Sequence, residues 1–160
     1  MHGLCRFFLE HSGPTHAAGD HAMIPFVVNM PLLFEKFVAR WLHAHLPPEL
    51  GLSAQHEMSF GDNGELQIRI DLLLKDRDGR ALAVLDTKYK ITDKPSMSDC
   101  EQVVACAVGS SCRDAVLIYP KTLAHPLDVQ FGDVRVRTMA CDLSQDLEAA
   151  GQQLLSTILS

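Results

Sequence analysis

At 160 residues, 47% hydrophobic and 21% charged, the chain has the size and composition of one globular domain, which excludes a disordered linker. A formal net charge of -6 gives no global basic field, so any nucleic-acid binding has to come from a local basic groove, a bound cation or a partner chain. The longest apolar stretch, AMIPFVVNMPLLF, is broken by Asn29 and two prolines, and CRFFLE is too short for a signal sequence; a soluble, cytoplasmic protein without membrane contact is expected.

In chain order, LCRFFLEH has room for two helical turns, followed by the loop composition of SGPTHAAGDHA. Residues 1–23 read as an arm and residues 24–160 as the domain. The segment MPLLFEKFVARWLHAHL repeats apolar residues at Leu33, Phe34, Phe37, Val38, Trp41 and Leu42. That spacing predicts an amphipathic helix, capped by Asn29, with Pro31 in its first turn and a stop at PPEL. LSAQHEMSF, ELQIRIDLLLKD and RALAVLDTKYK then read as three strands of a meander, joined by GDNG and by a two-residue turn at Asp78-Gly79. SDCEQVVACAVGS repeats helically, with Ser98 or Asp99 as cap; RDAVLIYP is a short buried strand; VQFGDVRVRTMAC gives one or two strands; SQDLEAAGQQLLSTIL closes the chain as a helix capped by Ser144. The expected fold class is α/β, a mixed central sheet flanked by helices.

Five cysteines are scattered without CxxC spacing, and His43 and His45 project to different sides of their helix; neither set suggests a metal site. Chemistry concentrates instead in LAVLDTKYK, residues 82–90. With a two-residue loop at Asp78-Gly79, cross-strand partners have numbers summing to 157, so Leu73 faces Val84 and Asp71 faces Asp86. Facing residues project to one side with Cβ atoms about 5 Å apart, and Lys88 shares that side with Asp86. Two carboxylates so close repel unless one is protonated or a cation lies between them, and hard oxygens suit Mg²⁺ or Mn²⁺. Lys88 beside them could steady a water or a phosphoryl charge. The same arithmetic sets Arg69 against Lys88, an unfavourable pair unless the strands part. An ordinary salt-bridged strand edge fits these spacings equally well.

The pattern of Asp71 followed by Asp86-Thr87-Lys88, behind a helix carrying Glu35, resembles the PD-(D/E)xK nuclease motif. More narrowly, FVVNMPLLFEKFV, RIDLLL, VLDTKYK and DCEQVVACA, in that order, resemble the C-terminal nuclease domain of the McrC subunit of McrBC modification-dependent restriction systems, over roughly Ile24 to Pro120. The resemblance implies a restriction-endonuclease-like αβββαβ core and a metal-dependent endonuclease acting on DNA with Mg²⁺ or Mn²⁺. It makes Asp71 and Asp86 metal ligands, Glu35 the acidic residue completing the metal site, Lys88 the catalytic lysine, and Gln102 a glutamine beside the active site. It also implies a GTP-hydrolysing motor as partner and recognition of 5-methylcytosine sites, with self-association left open. Ile70 replaces the motif's proline, and Cys106 stands where a tyrosine often follows the glutamine. Only a short arm precedes Ile24, where the family's subunit has the region that engages the motor. A nuclease fold kept for assembly alone is the alternative implied. Lys90, Lys94, Arg69 and Arg40 are candidates for a phosphate track, and Arg135 and Arg137, two apart on one strand, for further backbone contacts.

Overall fold

The computed structural model of the chain describes residues 27–60, 63 and 65–160. The expected arm and its helical turns lie outside the described residues. Helix α1, Met30–His45, begins as the sequence indicates: the Asn29 side chain accepts from the Leu32 amide, Pro31 stands in the first turn, and the helix ends at Leu46. Phe34, Val38 and Leu42 form its buried stripe.

Strands β1 (Gly51–Phe60), β2 (Leu66–Lys75) and β3 (Ala81–Thr87) pair antiparallel as the expected meander. Helix α2, Met97–Gly109, carries the chain over to β4, Asp114–Tyr119, which lies parallel to β3. The segment VQFGDVRVRTMAC becomes two strands, β5 (Asp128–Phe131) and β6 (Val134–Ala140), turning at Gly132. β6 inserts beside β4, parallel to it, and the six-stranded order is β1-β2-β3-β4-β6-β5. Helix α3, Leu147–Ile158, closes the chain. Two helix caps differ from expectation. Ser96, not Ser98 or Asp99, caps α2, and Asp146, not Ser144, caps α3 by accepting from the Glu148 and Ala149 amides.

Each face of the sheet buries its own core. Leu72, Leu74, Leu85, Val116 and Ile118 pack with Phe34, Val38 and Leu42 of α1 and Leu154 and Ile158 of α3. Ile70, Leu73, Val84, Leu117 and Tyr119 pack with Val103, Cys106 and Ala107 of α2. The α1–α3 contact is close enough that a Cβ added to Gly151 would fall 2.2 Å from the Trp41 ring. Among the described residues no helix is long and apolar enough to cross a membrane.

The β2–β3 turn is not the expected two-residue loop. Asp76 N–H bonds to the Arg80 carbonyl, and the Asp76 carboxylate accepts from the Asp78 and Arg80 amides, so that Arg77, Asp78 and Gly79 form the loop, with Gly79 at φ 78°. Such a loop pairs Lys75 with Ala81. One residue on, Leu82 bulges out and Leu74 pairs with Ala83. The bulge cancels the longer loop, and the expected pairing of Leu73 with Val84 holds for that reason.

Candidate active site

Ladder pairing between β2 and β3 is lost beyond Leu72 and Leu85. The strands part where polar residues begin. Thr87 donates its amide (3.0 Å) and hydroxyl (3.1 Å) to Oδ2 of Asp71. Past Thr87 the chain stays with β4, as the Lys88 amide bonds to the Ile118 carbonyl at 2.8 Å. The separation relieves the facing of Arg69 and Lys88 that a continued ladder would impose.

Asp86 follows Val84 by two residues and so points to the α2 face of the sheet. It is 3% exposed. Lys88 Nζ lies 2.7 Å from the buried Asp86 Oδ2 as an ion pair, and no further hydrogen-bond donor reaches that oxygen. Burial raises the Asp86 pKa to about 6, with the neighbouring Asp71 charge adding to it and Lys88 opposing. Burial thus opposes the charge on this carboxylate, and Lys88 supports it. Lys88 also donates to Gln102 Oε1 at 3.0 Å. Cys106, one turn further along α2, is buried, and its thiol is pushed up to about 11 by desolvation and by the charges of Asp86 and Asp71. It is a neutral neighbour of the pair.

The structure therefore brings Asp71, Asp86, Lys88 and Gln102 together. Glu35 is held through β1: it accepts from Gln55 Nε2 at 3.0 Å, and Gln55, at a positive φ, stands between Ala54 and His56, whose partners Leu72 and Ile70 flank Asp71. Among the described residues no three His, Cys, Asp or Glu side chains gather into a ligand set, so the expected triad of Asp71, Asp86 and Glu35 is not assembled. Two carboxylates still suit magnesium, which commonly takes one or two and fills its other positions with water and phosphate oxygens. Asp86 Oδ2, buried and met only by the Lys88 ammonium, has room in its coordination for such an ion.

Tyr89 turns to the opposite face and packs on Phe34, with ring centroids 5.9 Å apart. Lys90 is not free for phosphate, because both oxygens of Asp99 accept from it, at 2.7 and 2.9 Å. Arg135 and Arg137 are held by Asp128 and Asp114. The residue that sequence reasoning missed is Asp99, 5% exposed on the first turn of α2. Read as a possible helix cap, its carboxylate had no other role to fill; with Ser96 as the cap, it turns to the lysines.

The family model for "McrBC 5-methylcytosine restriction system component" matches residues 1–120. The chain belongs to this family. No curated protein matches it. Among solved structures, it aligns with a chain of a structure described as a refined half-complex from the tetradecameric assembly of Thermococcus gammatolerans McrB AAA+ hexamers with bound McrC. The TM-score is 0.63 at 19% identity, covering 83% of this chain and 34% of that one. The likeness shows a shared fold, and this McrBC-family chain spans about a third of the length of its structural relative.

Proposed function

We propose that the chain is the cleavage subunit of a modification-dependent restriction system directed at 5-methylcytosine, a metal-dependent endonuclease domain hydrolysing DNA phosphodiesters in concert with a GTP-hydrolysing motor. The observation that carries the reading is Asp86: a buried carboxylate whose only polar neighbour at Oδ2 is the Lys88 ammonium, beside the strand that brings Asp71. Membership of the McrBC family supports the restriction role. The relative's description, with its AAA+ hexamers and bound McrC, supports the motor partner.

Asp71 and Asp86 would hold a magnesium or manganese ion, and Glu35 would join them only by giving up its bond to Gln55. Bound there, the ion supplies a water of lowered pKa and a positive centre for phosphate oxygens. Thr87 fixes Asp71 through one oxygen, leaving the other for a ligand. Gln102 steers the Lys88 ammonium, which opposes the negative charge that grows on a phosphate under attack.

Strand cleavage of 5-methylcytosine-containing DNA with Mn²⁺ or Mg²⁺, with and without the motor partner, tests the reading. Cleavage is expected from the wild type and not from Asp86→Ala or Lys88→Ala; cleavage retained by both variants refutes it. Calorimetric Mg²⁺ binding lost in Asp71→Asn separates a metal site from a nuclease fold kept only for assembly, which predicts no binding in either protein.

A further inference from the structure

Lys88 and Lys90 leave the end of β3 two residues apart and meet different surroundings. The Lys88 side chain is 13% exposed and that of Lys90 50%. Asp99 stands near both. Its two oxygens accept from Lys90, and its Oδ1 lies 3.9 Å from Lys88 Nζ. A carboxylate this buried is costly unless compensated, and the Lys90 ammonium supplies that compensation on both oxygens. Helix capping does not explain the carboxylate, since Ser96 accepts the Asp99 amide hydrogen itself.

The grouping has a consequence for Lys88. Its ammonium touches Asp86 at 2.7 Å and Gln102 at 3.0 Å, and Asp99 adds a second buried negative charge. Between groups so little exposed, attraction across 3.9 Å is weakly screened.

We propose that Asp99 is a positioning residue: bound to Lys90 and standing 3.9 Å from Lys88, its carboxylate sets a second negative charge beside the Lys88 ammonium and helps hold it in its place against Asp86 and Gln102. The inference rests on the nuclease reading for its purpose, but the placement of Lys88 is measurable without cleavage.

The test is NMR of the lysine ammonium groups in the ¹⁵N-labelled full chain, reading the rate at which the Lys88 ammonium exchanges with water. Asp99→Asn keeps the side-chain shape and removes the charge; Lys88 exchange is expected to speed up at least about fivefold, since Lys88 loses one of its two carboxylates. Lys90→Met frees Asp99 to approach Lys88, and Lys88 exchange is expected to slow. The second variant lies at a half-exposed position and decides the matter if Asp99→Asn does not fold. An unchanged Lys88 in Lys90→Met, or in a folded Asp99→Asn, overturns the proposal. In a wild-type chain that cleaves DNA, Asp99→Asn should lower kcat about tenfold or more with KM nearly unchanged, the mark of a displaced group near the reacting atoms. A rise in KM alone overturns the positioning role, whereas a wild type without cleavage counts against the nuclease reading and leaves the exchange rates to judge Asp99.

Discussion

Two strand ends carry basic residues two apart, and they reach opposite states of satisfaction. On β6, Arg135 binds both oxygens of Asp128 through Nε and Nη2, and Arg137 binds both oxygens of Asp114 in the same way. Beyond β3, Lys88 and Lys90 share two carboxylates unevenly: both oxygens of Asp99 are engaged by Lys90, while the buried Oδ2 of Asp86 meets only the Lys88 ammonium. Bidentate, complete pairs fix structure. An incomplete buried group is retained at a cost to the fold, and such groups concentrate where chemistry is done. From sequence Lys88 was the catalytic candidate and Lys90, Arg135 and Arg137 candidates for phosphate contacts; carboxylates bind the last three.

Exchanging the two regions should break this contrast if it is false. Lys88→Ala should lower DNA cleavage at least about a thousandfold in a protein with wild-type circular dichroism, because it removes the charge at the reacting phosphate. Arg137→Ala should do the reverse, leaving cleavage per folded molecule intact while destabilising the fold by about 3 kcal/mol in urea titrations, as Asp114 loses its partner.

The carboxylate itself supplies a sharper measure. Carbon-13 NMR of the metal-free protein should show Asp86 titrating near pH 6, and added Mg²⁺ should bring that value down. The sign for stability follows from the direction of the shift. The native carboxyl holds its proton more tightly than the unfolded one, so its contribution is fully present below the unfolded value of about 3.9 and is lost as the pH rises through about 6. The smallest effect is expected from Arg135→Ala. Its pair with Asp128 is exposed on both sides, and the melting temperature should move much less than in Arg137→Ala.

Local rules exposed much of the fold. The 3-4 spacing of α1 and its Asn29 cap depend on near neighbours, as does the alternation that puts Asp86 and Lys88 on one side of a strand. The register at Leu73 and Val84 was legible too, although through a two-residue turn that does not exist; loop and bulge offset one another, and sequence carries only their sum. What stayed hidden depends on distant contacts. Glu35 meets Gln55 because β1 bends at a positive φ, and the arginines of β6 find aspartates on β4 and β5. Asp99 was concealed by an ambiguity of the helix start, where serines at 96 and 98 compete as caps.

The parting of β2 from β3 gives the site a fork. Asp71 rides on the antiparallel prong, while Lys88 stays laced to β4 on the parallel one. Between the prongs run the two hydrogen bonds from Thr87 to Asp71, in place of a ladder. The spacing of Asp71 and Lys88 is thus set by how the two strands diverge, with Thr87 as the link between them.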